Sequence, residues 1–347
     1  MAEELPHENR WTLIILIGCL SMFMAEVFAG SSQMWFIDGW SLLVTYWLYL
    51  AHLLLFLNLA IRTKRTSIPQ LYLWGVLFAL YESWITKVLW SGYPGSEGPA
   101  IALVGGIAIL EFFTLVFFWH PILAFIMPIL VFESFAISHD SQLKLEQRIF
   151  VSHFDYLKKG NKKFLFFCLF LIFIGSVFLS FNTGFNIIVA LIAVMGSIGL
   201  IYLFFKLSCR FNPNSFSIYT LKLGRKGFSI VIIYLLLFYV ITFFLILPER
   251  LPTSIIPFLI IIGFYTLIGI VLRISNPINE SIKVDSEEKS FYSATFFFKI
   301  YFLMIIFIII FCLIPIIGII VGFTMFLGIF VIAPLFFLLF LKKALKK

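Results

Sequence analysis

Long apolar runs alternate along the whole chain with short connectors that are either rich in Lys and Arg or rich in Gly, Pro and Asn. A helix needs about 20 apolar residues to cross a hydrocarbon core of roughly 30 Å. That length sorts the runs into spans at 11–30, 40–61, 70–91, 109–138, 164–181, 185–206, 228–248, 253–273, 294–313 and 316–341. The pattern predicts an all-α, polytopic helical membrane protein with about ten transmembrane helices.

The stretch 99–138 decides the count, because it is nearly uncharged and longer than one crossing requires. Arg62, Lys64 and Arg65 precede the third span, and Lys144, Arg148, Lys158, Lys159, Lys162 and Lys163 follow Ser138. The positive-inside rule puts both groups in the cytoplasm, which demands an even number of crossings between them. The span 70–91 supplies one, so 99–138 supplies one more. The reading is a single long helix over 109–138, tilted and bent near Pro121 and Pro128, where the ladder lacks an N–H. Residues 99–108, with Gly105 and Gly106, become a re-entrant segment or interfacial half-helix on the outer side.

The last six spans then form three hairpins with short outer turns. Every Lys and Arg except Lys87 and Arg250 falls on the inner side or its boundary. Both termini are expected in the cytoplasm of a cell-membrane protein. Three regions follow: a four-helix polar half over 1–138, a basic cytoplasmic loop over 139–163, and a six-helix apolar half over 164–347. Val27-Phe28-Ala29 before Gly30 resembles a signal cleavage site, but Glu3, Glu4 and Glu8 against Arg10 give the wrong n-region, so the first span is read as uncleaved. Lys206-Leu207-Ser208 with Asn212-Pro213-Asn214, and Arg273-Ile274-Ser275-Asn276-Pro277, are either traces of a duplicated hairpin or chance recurrence of loop signals.

Composition excludes a water-soluble fold: 62% of residues are hydrophobic and 12% charged, with a mean hydropathy of +1.09. The net charge of +8 sits in short loops, where it serves topology and anionic lipid head groups rather than nucleic acid. Membrane lipids are the expected partners; the oligomeric state is not readable. The 4 cysteines have no C-x-x-C spacing and read as packing residues.

Ionisable residues inside spans are costly to bury and mark functional sites. Here they gather in the first four spans: Glu26, His52, Glu82, Lys87, Glu111, His120 and Glu133, with Asn58. Depth groups Glu26, Lys87 and Glu111 toward the outer side, where Glu26 and Lys87 share a level that suits an ion pair. His52, Glu82 and His120 come closer to the midplane. In a continuous third helix, Glu82 and Thr86, and Ser83 and Lys87, would share a polar stripe at i,i+4. Trp35, Trp40, Trp84, Trp90 and Tyr93 would rim its outer mouth or form an interfacial belt.

Glu82, His52 and His120 suit a proton relay, since a carboxyl in an apolar site and an imidazole both exchange protons near neutrality. They would also serve as zinc ligands, but no H-E-x-x-H spacing exists, and the relay is preferred. No P-loop or dinucleotide motif is present, and no cofactor is expected.

Glu26-Val27-Phe28-Ala29-Gly30-Ser31-Ser32, followed by Tyr81-Glu82 and Lys87, resembles an uncharacterised prokaryotic family of multi-pass membrane proteins over about the first 140 residues. The resemblance implies a membrane fold and brings no activity. The CAAX-type intramembrane proteases carry an E-E-x-x-x-R helix. Here Tyr81 replaces one glutamate, Lys87 falls one position late, and Val116 precedes His120 where that pattern has Phe, so no residue is carried over.

Two functions remain open. One is a transporter or flippase whose polar helices hold a substrate or proton site built from Glu82, His52, His120, Lys87, Glu26 and Glu111. The other is an intramembrane enzyme acting on lipid or peptide, with Glu82 as base or metal ligand. A non-catalytic membrane subunit has no positive feature.

Overall fold

The computed structural model describes residues 10–139, 141–279 and 291–346. The acidic residues before Arg10, and Lys347, lie outside them. Among the described residues eight helices are long and apolar enough to cross a membrane. Two further apolar segments, Trp11–Val27 and a broken run that starts at Ile68, complete the ten that the hydropathy pattern predicts. In chain order the helices are α1 (Trp11–Val27), α2 (Ser41–Thr63), α3 (Ile68–Ala79), α4 (Ile109–Ser138), α5 (Lys162–Asn182), α6 (Ile187–Phe211), α7 (Arg225–Leu245), α8 (Ile256–Ile274), α9 (Ala294–Leu313) and α10 (Pro315–Leu345).

The chain divides into two units. The first contains residues 1–53, 127–223 and 279–325; the second contains 54–126, 224–278 and 326–347. In the first, α1 packs on α6, and α5 packs on α9. Aromatic edges fill its centre, with Phe23 at 5.1 Å from both Phe28 and Tyr301 between ring centroids. The basic loop is ordered by short helical turns at Leu145–Arg148 and Phe154–Leu157. Ser138 accepts the Ala294 N–H at 2.7 Å, and Tyr292 N–H donates to Leu157 O at 2.9 Å, fixing this loop against the start of α9.

In the second unit, α3 and the Leu115–Ile126 part of α4 make the largest helix contact. Gly75 makes it possible: a Cβ built there would lie 2.6 Å from Pro121 Cα. Ser67 and Gln70 form a capping box at the start of α3, with Pro69 in the first turn. Gln70 reaches on to Ser275 Oγ at 3.1 Å and Asn276 O at 2.8 Å. Arg65 donates to Leu272 O and, at 2.7 Å, to Arg273 O, so its guanidinium satisfies carbonyls at the end of α8.

Three departures from the sequence expectation position the site. First, 70–91 is not one helix. α3 ends at Ala79, short turns occupy Tyr81–Trp84 and Val88–Ser91, and Lys87 takes a left-handed conformation at φ 57°. Neither Gly nor Pro interrupts this stretch; the bonds of Thr86 and Lys87, described below, compete with the ladder. Second, the segment 99–108 holds no half-helix but a hairpin, β1 (Leu103–Val104) paired with β2 (Ile107–Ala108). Its two-residue turn is Gly105-Gly106, with φ of 60° and 78°, which is what a type I′ turn asks of both positions. Third, α4 is continuous as expected, but Pro121 sits within a π-helical stretch over Leu115–Ile126.

Proline lacks the N–H that an α-helical ladder needs, and the π stretch runs through it with bonds five residues apart. Tyr72 on α3 packs against this stretch and donates its hydroxyl to Phe117 O at 2.6 Å. Tyr72→Phe is expected to lower the unfolding free energy by about 1 kcal/mol, because a buried carbonyl loses its donor. A chemical-denaturation series in detergent would read this shift, and an unchanged midpoint would mean the π stretch satisfies itself.

Candidate functional site

The turn after α3 brings a carboxylate against an imidazole. Glu82 Oε1 lies 2.9 Å from His120 Nε2, and the two residues are 7% and 2% exposed. The second oxygen, Oε2, accepts the Thr86 hydroxyl, which also lies 2.9 Å from Glu82 O. Tyr81 adds a further hydrogen bond to the carboxylate. A carboxylate with this many donors is held in one place.

His120 is held by rings. Phe78 stacks on it with centroids 6.0 Å apart, and Tyr81 lies at 5.3 Å. Its place within the π stretch matters, because such widened turns expose backbone and shift side-chain registry, and they recur at functional sites. Glu26 also lies in one, over Phe23–Val27.

Behind the pair stands a relay of hydroxyls. Tyr239 and Tyr265 are hydrogen-bonded to each other, Trp84 bonds Tyr265, and Tyr239 lies near Glu82. These residues come from α7 and α8, in the half expected to be purely apolar. Chains of hydrogen-bonded tyrosines and acids polarise one another and supply steps for proton movement.

The other expected site residues each have their own partners. His52 belongs to the first unit, where its Nδ1 lies 2.8 Å from Leu48 O. Glu26, in the same unit, accepts Tyr49 Oη at 2.5 Å and both Ser31 Oγ and Ser32 Oγ at 2.7 Å. Lys87 belongs to the second unit. Its ammonium donates to Thr242 O at 2.9 Å and to Ile246 O, carbonyls at the C-terminal end of α7. Thr242 O also accepts the Ile246 N–H at 3.0 Å, so the ammonium adds a second donor there, at the negative end of the helix dipole where a cation is favoured. Glu111 accepts the Ala100 N–H at 2.8 Å.

Lys87 is fully buried. Lys87→Met is expected to cost about 1.5–3 kcal/mol, the range for a hydrogen bond to a charged group. Thermal unfolding in detergent reads it, and a midpoint equal to wild type would remove the capping role. The tryptophan rim also changes. Trp84 and Trp90 do meet, edge to face at 5.4 Å. Trp35 instead is 2% exposed, stacks on Tyr46 and donates to Ser197 at 3.0 Å.

One buried pair escaped the sequence reading. Glu133 near the end of α4 meets His153 of the basic loop, Oε2 to Nδ1 at 2.6 Å, and also accepts the Phe150 N–H at 2.8 Å. Glu133 was flagged by its span, whereas His153 stands in a loop whose charge suggested solvent. Among the described residues no three His, Cys, Asp or Glu side chains are grouped as ligands for one ion.

A profile described as an uncharacterized membrane protein family matches residues 15–345. The chain belongs to that family. The match carries the resemblance seen in the first 140 residues through nearly the whole chain, and Glu82, His120, Tyr239 and Tyr265 all fall inside the family region. A protein of Archaeoglobus fulgidus, described as an uncharacterized protein, is 37% identical over 150 residues. That alignment covers 43% of this chain and 45% of the relative, less than half of its length. No solved structure matches.

Proposed function

We propose that this membrane protein is an ion-coupled transporter or flippase in which Glu82 and His120 form the proton-exchanging site. The observation that carries the reading is the 2.9 Å contact between a buried acid and a buried imidazole. In apolar surroundings, one proton shared by such a pair changes the local charge where no water screens it. Tyr81 and Thr86 add hydrogen bonds to the carboxylate, and the hydrogen-bonded Tyr239–Tyr265 pair lies near it. Lys87 acts as a structural cap in this reading and not as a ligand for substrate.

Sidedness follows the Lys and Arg distribution, with both termini in the cytoplasm and residues 92–108 outside. The cell membrane is the proposed location. Binding of a proton is measurable without knowing the substrate. Purified protein in nanodiscs, stepped across neutral pH, should take up protons assignable to the Glu82–His120 pair in a difference infrared spectrum. A spectrum without a carboxyl change attributable to Glu82 would sink the proposal.

A further inference from the structure

Glu111 stands in the first turn of α4 and is fully buried. Its Oε1 is held by the Ala100 N–H, but Oε2 is buried without a hydrogen-bond partner. Three residues on, hence on the same helix face, Thr114 is 4% exposed and its hydroxyl also lacks a partner. Glu111 enters none of the ion pairs among the described residues, which are His120–Glu82, His153–Glu133 and Lys158–Asp155.

The helix dipole and the Ala100 N–H both place positive potential beside this carboxyl. A carboxyl oxygen buried without a partner is a costly arrangement, and the unpartnered hydroxyl oxygen one turn on offers a second hard ligand. What the pair lacks is a positive group. We propose that Glu111 Oε2 and Thr114 Oγ1 bind a monovalent cation. A single carboxylate balances a single charge, whereas calcium takes 6–8 oxygens, often from several carboxylates. The hairpin segment lies beside the site, because Ala100, which tethers Glu111, leads directly into it. This proposal does not rest on the proton site, since it concerns equilibrium binding at a different carboxylate.

The test is thermal unfolding of the full-length protein in nanodiscs, at constant ionic strength, with sodium, potassium, methylammonium or choline chloride. A saturable rise in midpoint with sodium over choline is expected, abolished in Glu111→Gln and in Thr114→Val and kept in Thr114→Ser. A rise with methylammonium alone keeps the cation site and identifies an ammonium-bearing substrate as its occupant. The same rise in wild type and both valine and glutamine variants, or none with any cation, overturns the proposal, as does stabilisation that follows pH and ignores sodium. Should Glu111→Gln not fold, radioactive sodium binding to wild type and to Thr114→Val decides the matter.

Discussion

Glu82→Gln is expected to remove the pH-dependent carboxyl signal and to slow proton-driven uptake by about 100-fold or more, while the protein stays folded. The amide matches the carboxylate in size and still reaches His120, so the packing around Phe78 and Tyr81 persists. What it cannot do is exchange a proton. Difference infrared spectroscopy and uptake into proteoliposomes read the two halves of the effect, and the melting temperature controls for folding. Wild-type uptake in the glutamine variant would leave the pair as a packing feature. Loss of both uptake and fold would show that the contact stabilises the unit instead of serving transport.

Gly75→Ala is the structural counterpart. Its Cβ would lie 2.6 Å from Pro121 Cα and 3.1 Å from Pro121 O. These are backbone atoms that no rotamer change can move. The helices must separate, at a cost of about 1–3 kcal/mol for overpacking. Because α3 carries Phe78 against His120 and leads to Glu82, separation also lengthens the acid–imidazole contact. The expected result is a lower unfolding midpoint together with a weakened infrared signature of the pair. An alanine variant as stable as wild type would mean the helices stand farther apart.

Helix number was legible because it depends on length and apolarity, which single residues cannot hide. The single passage of 109–138 followed from lysine and arginine placement alone, and α4 is one helix over those residues. Glu82 and His120 were both marked by their cost in lipid. Their 2.9 Å contact was not, since it depends on a turn after α3 that no local signal encodes. The break after Ala79 was illegible for a related reason. Lys87 leaves the helix to reach Thr242 and Ile246, more than 150 residues away in sequence, and tertiary bonds override propensity. The hairpin had a readable mark in Gly105-Gly106, but two-residue strands are too short to show alternation. Tyr239 and Tyr265 were hidden by their phenylalanine-rich surroundings, where a tyrosine looks like one more ring.

The left-handed turn at Lys87 costs about 1–2 kcal/mol in a residue with a side chain, and it is kept in place by the ammonium's grip on the last turn of α7. That grip makes α7 a handle. Tilting the far end of this helix by an ångström draws the Lys87 backbone with it, and the backbone of Glu82 is only five residues away. A displacement of the last turn of α7 is thus coupled to the stretch of backbone that carries Glu82.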